Sequence, residues 1–95
     1  MAAYVIVEIE TTDAELMAEY RAQATPTVAA FGGRYLARGG RTDVLEGDRR
    51  PERVVVLEFE SLERARAWWE SEEYRSAREL RQRAGRTTMI AVEGV

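Results

Sequence analysis

Two segments of this chain alternate apolar and polar positions in the same order. Residues 4–10, YVIVEIE, and residues 54–60, VVVLEFE, are short, rich in Val and Ile, and each is followed by a helix-start signal. This is how a strand with two unlike faces is written. Because side chains alternate along a strand, Val5, Val7 and Ile9 share one wholly apolar face, and Tyr4, Ile6, Glu8 and Glu10 share the other. The second segment divides in the same way, Val55, Leu57 and Phe59 against Val54, Val56, Glu58 and Glu60.

After each strand the apolar spacing lengthens to three and four. Leu16, Met17, Tyr20, Ala24, Val28 and Phe31 make one face of a helix. Thr12, with Glu15 three residues on, predicts a capping box that starts this helix at Asp13, and Pro26 predicts a kink or split near Thr25. Downstream, Ser61 caps LERARAWWE, and Ser71 caps a continuation in which Tyr74, Ala77, Leu80 and Ala84 face inward and Gly85 is the stop. Each half then places Gly-Arg before a further strand, in GGRYLARGG (32–40) and AGRTTMIAVEG (84–94). The stretch VLEGDRRPERVVVL joins the halves as a hairpin with Gly47 to Glu52 as its loop. Gly39 and Gly40 read as a bulge or a bent arm rather than a phosphate cradle, since no helix follows them.

Two β-α-β units in tandem give the order β-α-β-β-α-β. With right-handed crossovers this is an α+β, ferredoxin-like fold, one domain over residues 1–95. Its four-stranded antiparallel sheet has the order 4-1-3-2 and both helices on one face.

The second sheet face then becomes the open question. It is apolar in the middle and acidic toward the strand ends, and a monomer would leave Ile6, Val54 and Val56 in water as an apolar patch of a kind soluble monomers limit. A second copy is expected to cover it, making a homodimer through the open sheet face. The antiparallel central strands set Glu8 and Glu58 toward opposite ends of that face, so they are not a paired-carboxylate dyad. Partly buried carboxylates need ionic or hydrogen-bonding partners, and Arg34, Arg38, Arg41 and Arg86 are the available donors. Strict alternation along the second strand places Arg34, Leu36 and Arg38 together, with Arg38 joining the glutamate face and Tyr35 packing under the helices. Either these are interface salt bridges that set dimer register, or they form a polar ligand site. Trp68 and Trp69 lie about 100° apart on one helix, so only one points squarely into the core. The other is a rim residue, as Tyr20 and Tyr74 can be, suited to packing or to a ligand.

Composition removes several chemistries. The chain has no His, Cys, Lys or Asn, and all fourteen basic residues are Arg. Cysteine nucleophiles, thiolate metal sites, Schiff-base lysines and histidine bases are excluded. No metal and no cofactor are expected, and catalysis would have to run on Asp, Glu, Arg, Tyr, Ser, Thr or Trp. A net charge of −3 argues against nucleic acid as partner, and acid on the open face replaces the aromatics of an RNA-recognition module. No apolar run approaches the length of a membrane span, and MAAYVIVEIE lacks a signal-peptide pattern, so no membrane partner and a cytoplasmic location are expected.

GGRYLARGG, LEGDRRPERVVVLEFES, ARAWWESEEY and the closing AVEGV closely resemble the family called domain of unknown function 1330, over essentially the whole chain. The resemblance implies a dimeric α/β barrel, in which two ferredoxin-like sheets face each other, and carries no agreed activity. The wider superfamily it implies includes cofactor-free monooxygenases, haem-degrading enzymes and small-molecule lyases. An axial haem histidine is absent here, and of a monooxygenase pattern of Asn, Trp and a polar acid-base only the Trp is kept.

The expectation is therefore a small homodimer whose helix-sheet cleft binds an organic ligand or whose role is structural. The candidate ligand-binding residues are Glu8, Arg38, Glu58, Tyr20 and Trp68. The alternative is a cofactor-independent enzyme of monooxygenase, isomerase or lyase type on a small carbonyl or aromatic substrate, with Arg38 holding an anion and Glu8 or Glu58 as base.

Overall fold

The computed structural model describes residues 1–95. It runs β1 (Ala3–Thr11), α1 (Ala14–Ala30), β2 (Arg34–Arg38), β3 (Arg53–Phe59), α2 (Leu62–Glu70), α3 (Glu72–Ala84) and β4 (Gly85–Glu93). The strands form one antiparallel sheet in the order β2-β3-β1-β4, the expected ferredoxin-like order read from its other edge. No helix is long and apolar enough to cross a membrane.

The alternation decides the layers as the sequence predicts. Val5, Val7, Ile9, Val55, Leu57 and Phe59 are buried, and they pack with Met17, Ala24 and Val28 of α1 and with Ala65, Trp68, Tyr74, Ala77 and Ala84 of α2 and α3. An aromatic file runs through this core. Phe59 and Trp68 have ring centroids 5.3 Å apart, and Trp68 and Tyr74 are 4.2 Å apart. Full burial of a side chain such as Phe59 contributes about 2–3 kcal/mol, so this file is a large part of what fastens α2 and α3 to the sheet.

The start of α1 corrects one expectation. Asp13, not Thr12, caps α1, its carboxylate accepting from the Leu16 amide at 3.0 Å. Thr12 is engaged elsewhere, because its hydroxyl and amide both donate to the carbonyl of Ala84, at 3.2 and 2.8 Å. Pro26 lies inside α1, which is neither split nor ended there. The hydroxyls flanking it donate back into the helix, Thr25 to the Arg21 carbonyl at 2.8 Å and Thr27 to that of Ala24 at 2.7 Å. The helix ends instead at Phe31, where the Gly32 amide donates to Ala29 and the Gly33 amide to Val28. Gly32 has φ +75°, the left-handed turn this double closure requires.

Ser61 and Ser71 cap as expected, accepting from Arg64 and Tyr74 amides. On α3 the inward face is Tyr74, Ala77, Arg81 and Ala84; Leu80 is only half-buried, and a buried arginine stands where leucine was expected. Gly85 ends α3 in an extended conformation and opens β4, with its Cα hydrogens directed at the Glu10 carbonyl, where a side chain would collide.

Two features of the β2-β3 hairpin differ from strict alternation. The register passes from Tyr35 opposite Leu57 to Ala37 opposite Val56, leaving Leu36 as the extra residue of a bulge. The ladder closes with the Gly39 amide donating to Val54, and residues 39–52 then form no strand, so the loop is longer than Gly47 to Glu52. Gly39 at φ +73° turns the chain out of the sheet before Val44 and Leu45 could pair.

Candidate functional site

The bulge at Leu36 determines where the arginines go. One extra residue reverses every side chain beyond it, so Arg38 shares a face with Tyr35 and not with Arg34. Arg34 sits opposite Glu58 and donates to it through Nε at 2.5 Å on the open sheet face. Arg38 turns under α1, donating to the Thr25 hydroxyl at 2.6 Å with its guanidinium 4.1 Å from the centre of the Tyr35 ring. The expectation that Arg38 joins the glutamate face is thereby corrected, and the bulge is the reason.

On the helix side a cleft runs between α1 and the strands β2 and β3. Its floor is Val7, Ile9, Val55 and Leu57; Tyr20, Tyr35 and Trp68 are its aromatic walls, and Arg21, Arg38 and Arg53 stand at its rim. The inner end encloses about 30 Å³, room for water but not for an organic molecule. Outward, a bay of about 320 Å³ shares Met17, Arg21 and Arg53 with it and adds Thr11, Gly39 and Glu52. None of the three rim arginines makes an ion pair. The one carboxylate of the bay, Glu52, accepts from the Thr11 amide at 3.0 Å.

Behind the aromatic walls lies a buried polar chain. Arg81, 4% exposed, donates through Nη1 to the Tyr74 hydroxyl at 2.7 Å, and that hydroxyl is 2.9 Å from the hydroxyl of Tyr20. Burial pushes the Tyr74 phenol far above its usual range; the adjacent Tyr20 adds to the rise and the Arg81 guanidinium opposes it. Tyr74 is thus a neutral hydroxyl at any working pH. Arg81 has no carboxylate partner, and its Nε is without any hydrogen bond. Trp68, fully buried, donates from its indole to the Thr27 hydroxyl at 3.0 Å. Trp69 is the rim residue, 39% exposed under the Arg78 guanidinium.

The five candidate residues therefore fall into two groups. Tyr20, Arg38 and Trp68 meet in the cleft. Glu8 and Glu58 lie on the other side of the sheet, Glu8 paired with Arg49 and Glu58 with Arg34. Arg49 reaches Glu8 from the loop 39–52, whereas Arg86, one of the expected donors, lies beside Glu10 at 3.5 Å. No group of three acidic side chains is placed to hold a metal ion. A second groove, of about 310 Å³ between α2 and β4, is lined by Leu62, Ala65, Trp69, Met89 and Ala91. Its Arg66 is 3.5 Å from Glu70, so it offers apolar contact but no free cation.

The open sheet face is built in cross-strand rows. Arg34, Glu58, Tyr4 and Val92 form one, and Ala37, Val56, Ile6 and Ile90 the next. Ile6 and Val56 are half-buried by their neighbours in the sheet, while Ile90 is 61% and Val92 46% exposed.

Residues 2–95 match the family model described as Domain of unknown function (DUF1330). The chain belongs to this family. No curated protein matches the DUF1330 chain, but solved structures do. A Rhodopseudomonas palustris protein of unknown function is 19% identical, with a TM-score of 0.80, covering 99% of this chain and 82% of its own. A dimeric ferredoxin-like protein of unknown function from a Jannaschia species is 13% identical, with a TM-score of 0.69 over 99% of this chain and 100% of its own. A Nitrosomonas europaea protein provisionally assigned as an antibiotic biosynthesis monooxygenase is 17% identical, with a TM-score of 0.58 over 100% and 99%. At these identities the likeness establishes the fold. Within the DUF1330 chain, sequence reasoning missed Arg21, Arg53 and Arg81. For Arg81 the signal was present, since positions 74, 77, 81 and 84 follow helical spacing as well as 74, 77, 80 and 84 do.

Proposed function

We propose that this protein is a homodimer that binds a small organic anion, with a flat apolar body, in the helix-sheet cleft of each chain. The observation that carries the ligand reading is the convergence of Arg21, Arg38 and Arg53, none with an acidic partner, on a pocket walled by Tyr20, Tyr35 and Trp68. Unpaired guanidiniums recognise carboxylate and related oxyanions by paired hydrogen bonds, and aromatic walls suit a planar ligand. The inner end is small, so the body of the anion occupies the outer bay and only its charged edge inserts between the aromatic walls, beside Arg38 and Tyr20. The dimer reading is supported by the uncovered apolar rows of the open face and by the dimeric state of the Jannaschia neighbour. Glu8 and Glu58 then serve as register-setting charges at the interface.

A thermal-shift screen with small carboxylates, phenolics and quinones tests the ligand reading. Hits that stabilise the wild type and lose their effect in Arg38→Met support it; a screen with no hits, or hits indifferent to Arg38, contradicts it. The second reading, cofactor-independent turnover of such a ligand, is favoured by the provisional assignment of the Nitrosomonas neighbour and by Trp68 lying against the cleft. Following each hit spectroscopically over hours separates conversion from binding.

A further inference from the structure

We infer that the Tyr20 hydroxyl presents its proton to the bound molecule, oriented by Arg81 through Tyr74, and that it meets an sp² oxyanion, a carboxylate, phenolate or enolate. This rests on the cleft being the ligand site.

The direction of the proton follows from what each group can do. A guanidinium only donates, so the Tyr74 oxygen accepts from Arg81. Tyr74 is wholly buried, and its hydroxyl has Arg81 and Tyr20 as its sole hydrogen-bond partners. If Tyr20 donated to it, the Tyr74 proton would be left in the interior with no acceptor, at the full desolvation cost of a hydroxyl. Burial also keeps that proton in place. Tyr74 therefore donates to Tyr20, whose oxygen is the acceptor. The hydrogen of Tyr20 then has no protein acceptor, since Tyr74 is its sole hydrogen-bond partner, while its side chain lines the cleft.

The sign of the ligand follows from Arg81. It is a buried cation without a carboxylate, 5.9 Å from the centre of the Tyr20 ring, and compensated only by the Tyr74 oxygen, that ring and the last turn of α3. A hydroxyl that accepts from a donor chain ending in a cation is a stronger donor itself. It is placed before any ligand arrives, which is what stabilising an oxyanion requires. Tyr74 and Arg81 are positioning residues in this arrangement, and Tyr20 makes the contact.

The test uses 4-nitrophenolate as probe, at a pH where it is anionic, with affinity from equilibrium dialysis and hydrogen bonding from its absorption band. Tyr20→Phe is expected to weaken binding by about 10- to 100-fold, the range for a hydrogen bond to a charged group, and to shift the bound band toward that of an unbonded phenolate. Tyr74→Phe is expected to weaken binding severalfold with a smaller shift in the same sense. If Tyr20 instead donates to Tyr74, Tyr74→Phe frees a proton and tightens binding, and that result overturns the inference. Binding that depends on Arg38 but is unchanged in Tyr20→Phe overturns it while leaving the cleft as the ligand site. A wild type that does not bind the probe overturns both. Without ligand, the hydroxyl proton between the rings should correlate in NMR with the ring carbons of Tyr74 in selectively labelled protein; correlation with those of Tyr20 contradicts the assignment.

Discussion

Leu36, a residue with no partner across the β2-β3 ladder, decides which side of the sheet Arg38 serves. Arg38 is exposed, its guanidinium donating to Thr25 and lying over the Tyr35 ring, with no ion pair. Arg38→Met should therefore change unfolding free energy by no more than about 0.5 kcal/mol in urea titrations while abolishing ligand-induced stabilisation; loss of both together would make Arg38 structural. Tyr74 makes a prediction about pH. Its phenol is raised by burial and by Tyr20, against the pull of Arg81. Below about pH 10, the ordinary tyrosine value, both folded and unfolded states keep the proton. Above it the unfolded chain releases the proton and the folded one does not. Stability contributed by this group is thus complete below about pH 10 and falls as pH rises further. Denaturant titrations across that range should show a steeper decline for wild type than for Tyr74→Phe, and equal slopes would contradict the buried neutral phenol.

At the scale of elements, legibility followed locality. Val5, Val7, Ile9, Val55, Leu57 and Phe59 could be assigned to the core because strand alternation is a covalent regularity, and Ser61 and Ser71 as caps because their hydroxyls act within one turn. What escaped depends on residues distant in sequence. Thr12 loses its capping role to Asp13 because Ala84 takes its hydroxyl, and the bulge at Leu36 is a matter of register between two strands. The cleft was legible in Tyr20 and Trp68 but not as a constellation, since Arg21, Arg38 and Arg53 come together only once β2 and β3 pair. Pro26 stays helical although it removes the amide that would donate to Ala22, a local cost that tertiary packing overrides. Pro26→Ala should restore that bond and raise stability by about 1–2 kcal/mol, measured by urea titration; a loss of stability would mean that the proline ring is itself part of the packing. Gly85→Ala places a methyl against the Glu10 carbonyl and should lower stability by about 2–3 kcal/mol, whereas a neutral effect would show that β1 and β4 can part there.

For the whole molecule, one sheet has two apolar faces and helices enough for one. The rows of Ile6, Val56 and Ile90, and of Tyr4 and Val92, are bordered by the Glu58-Arg34 and Glu8-Arg49 pairs, an apolar centre with a charged rim of the kind interfaces carry. A second copy meeting this face about a two-fold axis presents the same rows to itself. Ile90, at 61% exposure, contributes little to the fold of the single chain, so Ile90→Glu separates assembly from folding. Sedimentation equilibrium of the wild type at micromolar concentration, beside Ile90→Glu, tests this most directly. The account predicts a wild-type mass of twice the 10.8 kDa chain and a folded monomer for the variant; a wild type that sediments as a stable monomer would contradict it.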